Sequence, residues 1–206
     1  NGDLVKAGTN FYVEFIRVNH SIADSYALAI RTPVGMVIHS GDFKVDYTPI
    51  NGKTINLQRF GELGKEGVLL FMCESTNVEI PGVSPSEMHV GESFQRIFQE
   101  TKGRIIVATV SSHVHRMQQI FTAAEMYGRH VCLSGRSMVN TFNVANSLGY
   151  ISMKPDTLID TSELDRYDPD EIVILTTGSQ AEPMSALSRI AFASHKSIEI
   201  KEGDTV

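Results

Sequence analysis

A histidine and an aspartate stand at the ends of two neighbouring apolar segments near the start of the chain. His20 closes the segment FYVEFIRVNH, and Asp42 follows VGMVIH in a Ser-Gly-Asp turn. Imidazole and carboxylate at neighbouring strand ends are the ligands that a divalent metal needs. We therefore expect part of a metal site here. The alternative interpretation is a packed histidine beside an ordinary turn.

Three loops rich in hydroxyl side chains each follow an apolar segment and precede a helical one. They are SSHVH at 111–115, SGRS at 134–137 and TTGSQ at 176–180. Free N–H groups and hydroxyls at a helix start suit a phosphate, and Arg136 would add a cation. Any one of these loops could simply cap its helix. Three of them at one sheet edge favour a ligand that carries a phosphate.

Other polar residues give weaker chemical signals. Glu74 follows the apolar segment GVLLFMC and could orient a histidine or accept a proton, or merely form a turn. His113 and His115 form an H-x-H pair, which would need further ligands to hold a metal. Ser111 with His115 lacks an orienting acid, so this pair is poor support for a nucleophile.

The segments that carry these residues predict a mixed α/β fold. Short aromatic and aliphatic segments predict strands at 11–18, 25–31 and 34–39, the last two as a hairpin. A helix at 57–67 and a strand at 67–73, buried on both faces, should follow.

Beyond residue 90 the pattern changes to a helix and then to three strand–loop–helix units. The strands are expected at 104–110, 130–133 and 171–175, and the helices at 116–126, 138–148 and 183–193. This alternation predicts crossover connections and a parallel sheet.

Composition indicates a globular chain. Its 206 residues are 42% hydrophobic and 20% charged. No apolar segment approaches the roughly 20 residues of a membrane span. The first residues lack a signal-peptide pattern, so we expect no membrane association and a cytoplasmic location. Cys73 and Cys132 lie in apolar segments and are expected to be buried thiols.

Net charge and chain ends add two expectations. Because the net charge is −6, a nucleic acid would have to be held by a local basic or amide-lined groove. The chain has no initial Met and stops at EIKEGDTV, where a strand looks about to start. We expect a piece of a longer protein.

Five segments together resemble the ribonuclease J family of bacterial and archaeal enzymes, in the β-CASP branch of the metallo-β-lactamase superfamily. They are HSIADSYALAIRTPVGMVIHSGDFKVD, CESTNVEIPG, GRIIVATVSSHVHRMQQ, GRSMVNTFNVANSLGYI and TTGSQAEPMSALSRIA. The resemblance covers nearly the whole chain. It implies part of a metallo-β-lactamase αβ/βα sandwich at residues 1–82. A Rossmann-like, parallel-sheet β-CASP domain would occupy residues 83–206, without its C-terminal end.

The resemblance also implies roles for single residues. His20 would bind one metal, Asp42 would bridge two, and Glu74 would match a catalytic acidic motif. The contacts to phosphate and RNA would be Ser111, His115, Arg136, Ser137, Gly178 and Ser179, with Ser137 and Ser179 foremost. The family's HxHxDH segment and its later histidine ligands would lie outside residues 1–206. His113 stands where the family often has Asn, and we assign it no role.

The function implied for the full protein is a metal-dependent ribonuclease, a 5′–3′ exonuclease, an endonuclease or both, acting in RNA maturation and decay. Two Zn²⁺, or Mn²⁺ in their place, would activate water. The substrate would be single-stranded RNA with a 5′-monophosphate. A homo-oligomer (dimer or tetramer) or a hetero-oligomer with a paralogue is expected, and the isolated chain should be inactive.

Three alternatives stay open from the sequence. The chain could come from a non-catalytic RNA-binding subunit of an RNA-decay complex. It could belong to a small-molecule metallo-hydrolase, although three phosphate loops argue against that. It could also be a plain nucleotide-binding α/β domain.

Overall fold

The computed structural model describes residues 2–50 and 52–206, which form two compact units. The first is Asn1–Met88 and the second is His89–Val206. Each unit has its own sheet and its own apolar core. The domain boundary at residues 82–83 stays a prediction.

A five-stranded sheet forms the first unit. Its strands, in both chain and spatial order, are β1 (Leu4–Ala7), β2 (Phe11–Arg17), β3 (Tyr26–Thr32), β4 (Gly35–His39) and β5 (Leu70–Met72). The first four strands pair antiparallel, including the predicted hairpin of β3 and β4, whereas β5 pairs parallel with β4.

Alternation along the strands places the core on one face of this sheet. Ile16, Ala27 and Ile38 are fully or almost fully buried and belong to one apolar cluster. Leu63 of α1 (Leu57–Glu66) joins the same cluster. Since side chains alternate between the two faces of a strand, the buried residues at every second position of β2, β3 and β4 face the same side, which α1 covers.

The strand predicted at 67–73 forms, but the expectation that it is buried on both faces is wrong. Leu70, Phe71 and Met72 are 51%, 55% and 47% exposed. β5 is the edge strand of the sheet, and within the described part of the chain β4 is the one strand that pairs with it. The next residue, Cys73, is exposed for the same reason, which corrects its prediction as a buried thiol, whereas Cys132 is buried as expected.

The sheet of the second unit is parallel, as predicted. Its strands are β6 (Ile105–Ala108), β7 (His130–Ser134), β8 (Leu158–Ile159) and β9 (Ile172–Thr176), in the spatial order β6-β9-β7-β8. Of these, β8 is a fourth strand besides the three that were predicted. The helices are α2 (Glu87–Glu100), α3 (Val114–Met126), α4 (Arg136–Ser147) and α5 (Ala186–Ala191).

Apolar clusters lie on both faces of this second sheet. Val173 and Leu175 of β9 belong to the cluster that includes residues of α3 and α4, and Ile172 and Ile174 belong to the opposite one. This arrangement explains the unbroken apolar sequence of β9, because a central parallel strand is buried on both sides.

The helix predicted at 183–193 is much shorter than expected. Met184 has a φ of 70°, which a right-handed helix does not allow. Ser185 then caps α5, because its side chain accepts a hydrogen bond from the N–H of Ser188. The segment before α5 is therefore a turn.

The parallel register brings the carboxyl ends of three strands together. Ala108 of β6 and Ser134 of β7 both pair with Thr176 of β9. The three hydroxyl-rich loops consequently leave the sheet at one edge, where α/β proteins bind their ligands. No helix of the described residues is both long enough and apolar enough to span a membrane.

Candidate functional site

His20 and Asp42 lie side by side in the first unit. Nε2 of His20 is 3.9 Å from Oδ2 of Asp42, and the two side chains are 34% and 75% exposed. A backbone bridge between Asn19 and Lys44 brings them together, with the N–H of Lys44 donating to the carbonyl of Asn19 at 2.7 Å. The pair is thus held by main-chain hydrogen bonds next to each residue, and it is open to solvent.

The turn that presents Asp42 is fixed by its neighbours. The hydroxyl of the buried Ser40 donates to the carbonyl of Gly41 at 2.7 Å, and the N–H of Gly41 donates to Nδ1 of His39 at 3.0 Å. Gly41 has a φ of 61°, and a Cβ there would lie 3.0 Å from the carbonyl oxygen of Tyr26. The glycine of the Ser-Gly-Asp turn is therefore a conformational requirement.

Glu74 is tied to the same turn. Its N–H donates to Oγ of Ser40 at 3.0 Å, while its carboxylate accepts a hydrogen bond from the N–H of Thr76 at 2.6 Å. The hydrogen bonds from Thr76 are the main cause of the lowered pKa of Glu74. The nearby His20 lowers it further by a smaller amount. A carboxylate with a lowered pKa is a poor proton acceptor at neutral pH, so its chemistry suits holding or orienting a cation better.

The spacing of the histidine and the aspartate is compatible with two ligands of one metal ion. Ligand atoms that each lie about 2.0–2.2 Å from one zinc ion are at most roughly 4.4 Å apart, so the separation of His20 and Asp42 fits a shared ion. In residues 2–50 and 52–206, no group of three or more His, Cys, Asp or Glu side chains is placed to hold a metal. Further ligands would have to come from elsewhere in a full protein.

A second candidate site lies in the second unit, at the edge where the three loops leave the sheet. A cavity of about 560 Å³ opens there. Its lining includes the predicted residues Ser111, Arg136 and Ser137. Three other predicted contacts, His115, Gly178 and Ser179, are not among the lining residues. The lining residues that the sequence prediction missed include Thr109, Thr177, Ser185 and Arg189.

The N-terminus of α4 has no side-chain cap. Gly135 occupies the capping position with a φ of 104°, and no side chain makes a capping hydrogen bond there. Ser134, the last residue of β7, contacts Nε2 of His195 through its hydroxyl at 3.2 Å. The first N–H groups of α4 thus keep the capacity to bind an anion.

Gly178 has a structural role in the third loop. It is buried with a φ of 123°, and a Cβ there would lie 2.6 Å from Oγ of Ser185 and 2.8 Å from Cβ of Leu187. The backbone of the loop can therefore pack against the start of α5 only without a side chain at this position. Ser179 follows on the exposed side of the turn.

A comparison with protein families decides the affiliation of the chain. A family model described as ribonuclease J, beta-CASP domain, matches residues 102–206, just over half of the chain. The chain belongs to the ribonuclease J family. This membership confirms the predicted fold class, because the parallel-sheet unit is a β-CASP domain of the metallo-β-lactamase superfamily.

Curated ribonucleases J match along nearly the whole chain. The protein of Synechocystis sp. is 48% identical over 205 residues, covering 99% of this chain and 32% of its own length. The Thermus thermophilus protein is 44% identical over 204 residues, with 99% and 35% covered, and a Helicobacter pylori protein is 42% identical, with 95% and 28% covered. The chain spans about a third of the length of these ribonuclease J relatives.

Among solved structures, the chain is similar to the crystal structure of a protein of unknown function from Enterococcus faecalis V583. The TM-score is 0.59 at 20% sequence identity, with 86% of this chain and 44% of the other covered. At this level of identity the likeness concerns the fold alone.

Proposed function

We propose that the full protein containing this ribonuclease J segment is a metal-dependent ribonuclease that hydrolyses RNA phosphodiesters in RNA maturation and decay, as a 5′–3′ exonuclease, an endonuclease or both. The observation that carries this proposal is the approach of His20 and Asp42 to 3.9 Å at one exposed turn. Membership of the ribonuclease J family supports it.

His20 and Asp42 would hold the metal, with two Zn²⁺, or Mn²⁺, in the completed site. A metal pair supplies an activated water and stabilises negative charge that develops on the phosphate. Neighbouring residues of this chain hold the carboxylate-bearing segments in place. The Ser40 hydroxyl joins the turn of Asp42 to the backbone of Glu74, so one hydroxyl links two carboxylate-bearing segments.

The loops of the second unit would bind single-stranded RNA by its 5′-monophosphate. The uncapped start of α4 and the side chains of Arg136 and Ser137 at the cavity support this part of the proposal. Ser111 would contribute from the first loop. Ser179 would reach the phosphate from beyond the residues that line the cavity, and His115 would contact the RNA. In the cytoplasm the protein would act as a dimer or tetramer, or together with a paralogue.

Replacing the aspartate tests the proposed metal role. In the full protein, Asp42→Ala should lower RNA cleavage by at least about a thousandfold, because a metal ligand that carries charge would be lost. A single-turnover assay on a 5′-labelled RNA measures the rate. Asp165→Ala, which removes an exposed carboxylate of the second unit, should leave the rate unchanged. Near-normal cleavage by Asp42→Ala would refute the assignment.

Replacing two loop serines tests the proposed phosphate contacts. Ser137→Ala combined with Ser179→Ala should reduce the preference for 5′-monophosphate over 5′-hydroxyl RNA by about tenfold, the value of one or two hydrogen bonds to a charged group. Competition between the two RNAs in one reaction measures this ratio. The exposed Ser147, at the far end of α4, gives the control Ser147→Ala, and an unchanged ratio in the double variant would refute these contacts.

A further inference from the structure

The side chain of Lys44, two residues after Asp42, has three partners in the first unit. Its ammonium group donates to the carbonyl of Pro85 at 3.0 Å. It also forms ion pairs with Oδ2 of Asp46 at 3.5 Å and with Oε1 of Glu87 at 3.7 Å. The lysine side chain is only 21% exposed. These contacts leave it few conformations and connect the turn of Asp42 to residues 85–87.

Asp46 is the buried member of this cluster. Its side chain is 4% exposed, and it accepts a hydrogen bond from the N–H of Thr48 at 3.0 Å. Burial raises the pKa of Asp46, but the hydrogen bond from Thr48 and the charge of Lys44 are among the interactions that outweigh it, and the net effect is a lowered pKa. Asp46 is therefore ionised at neutral pH. A buried carboxylate that loses its cation is strongly destabilising, so Lys44 has a fixed place beside it.

The backbone of Lys44 belongs to the region of the predicted metal ligands. Its N–H donates to the carbonyl of Asn19, the residue before His20, at 2.7 Å. Lys44 is thus joined to the segment of His20 through its backbone and to residues 85–87 through its side chain. Between these two attachments lies the short stretch of chain that leads back to Asp42.

We infer that Lys44 is a positioning residue for the metal ligands, because its ammonium group fixes the turn on which Asp42 faces His20. The inference rests on the metal site proposed above. Groups that hold ligands in place without touching the metal commonly set the metal affinity of a site. Without the ammonium group, the carboxylates of Asp46 and Glu87 would repel each other, and the turn would lose its attachment to residues 85–87.

Lys44→Met distinguishes positioning from a simple effect of charge. A cation near a metal site opposes metal binding, so the loss of its charge alone would tighten binding. Loss of positioning would weaken it. We expect the Kd for Mn²⁺ to rise at least about tenfold in Lys44→Met, as is usual when a supporting group of a metal site is removed. Free Mn²⁺ is measured by electron paramagnetic resonance while the metal-depleted full protein is titrated at a temperature at which it is folded.

Ser86→Ala is a second variant that changes no charge. The hydroxyl of Ser86 donates to the carbonyl of Thr48 at 2.8 Å, so it joins the same two segments as Lys44 does. Its loss should raise the Kd for Mn²⁺ by about two- to threefold, because one neutral hydrogen bond contributes less than a charged cluster. If Lys44→Met fails to fold, this variant decides the question.

Lys44→Arg and Lys65→Met are the controls. Arginine keeps the positive charge and offers more donors, so Lys44→Arg should bind Mn²⁺ more tightly than Lys44→Met. Lys65→Met removes the same charge from an exposed lysine in the last turn of α1, and it should leave the Kd unchanged.

The outcomes separate this inference from the proposed function. Unchanged or tighter Mn²⁺ binding by Lys44→Met, equal losses in Lys44→Met and Lys44→Arg, or an unchanged Kd in Ser86→Ala would overturn the positioning role alone, provided that the wild type binds Mn²⁺. A wild type that binds no Mn²⁺ would refute the proposed metal site and the positioning role together. The titration needs no RNA cleavage, so the ribonuclease activity is read separately.

Discussion

Gly41 and Gly178 occupy backbone conformations that favour glycine, and each lies in one of the two candidate sites. Gly41 allows the turn that presents Asp42, with the carbonyl of Tyr26 close behind it. Gly178 allows the third loop to pack against Ser185 at the start of α5. The backbone of each site therefore depends on a single glycine that contributes no side chain to the chemistry.

Gly178→Ala should lower the free energy of unfolding by about 1–3 kcal/mol, because a Cβ would be forced against Ser185 and Leu187 in a left-handed backbone. Urea denaturation followed by circular dichroism measures the change. The control is Gly61→Ala. Gly61 lies inside α1 and a Cβ there meets no atom within 4 Å, so alanine should stabilise the helix by roughly 0.5–1 kcal/mol. Equal effects of the two substitutions would contradict the structural role of Gly178.

The sequence could indicate His20 and Asp42 because both stand where apolar segments end. It could not indicate Thr109 or Arg189. A threonine after a strand and an arginine in a short helical segment are common, and only the packing of β6 against β9 with α5 nearby shows that their polar atoms are buried without partners. Such an orphaned atom is a property of the three-dimensional structure.

At the scale of elements, Glu125 connects the end of α3 to the segment that leads into β8. Its carboxylate accepts hydrogen bonds from the N–H of Lys154 at 2.6 Å and from the hydroxyl of Thr157 at 2.7 Å. Partial burial raises the pKa of Glu125, but these hydrogen bonds outweigh it, and the net effect is a lowered pKa. The short strand β8 is thus held partly by an ionised side chain.

This lowered pKa predicts how stability depends on pH. The unfolded state binds a proton more readily than the folded state, so the stabilisation is present above the unfolded pKa of about 4.5 and is lost as the pH falls through the lower folded value. Glu125→Gln should cost about 1 kcal/mol at pH 7, and the difference should shrink towards pH 3. Urea denaturation at a series of pH values measures both.

A second glutamate serves as the control that the loss of stability in Glu125→Gln comes from these hydrogen bonds. Glu100 is exposed at the end of α2 and accepts neither of them, so Glu100→Gln should leave the unfolding free energy unchanged at pH 7. A constant difference between Glu125→Gln and the wild type at every pH would contradict the stabilising role of the ionised carboxylate.

Most elements could be predicted because the burial of most strands, though not of β5, matches the pattern of apolar residues in the sequence. Alternating residues give the one-sided sheet of the first unit, and the apolar segment at β9 gives the two-sided sheet of the second. β8 escapes prediction because two residues are too few to show a pattern. The burial of β5 is predicted wrongly because an edge strand and a central strand can have similar sequences.

At the scale of the whole molecule, the two units divide the proposed chemistry. The first carries the pair that would bind metal, and the second carries the cavity with two arginines. With a net charge of −6, attraction of RNA cannot come from overall charge, so the proposal relies on this local excess of positive charge. The chain spans about a third of its curated relatives, so other parts of the full protein would complete the metal site.

The most direct test of the metal assignment is the metal content of the full protein, measured by mass spectrometry of the purified protein and its variants. The wild type should hold about two zinc or manganese ions per chain. His20→Ala and Asp42→Ala should each lose at least one of them, whereas His89→Ala, which removes an exposed histidine of α2, should keep both. Wild-type metal content in both His20→Ala and Asp42→Ala would contradict the metal assignment.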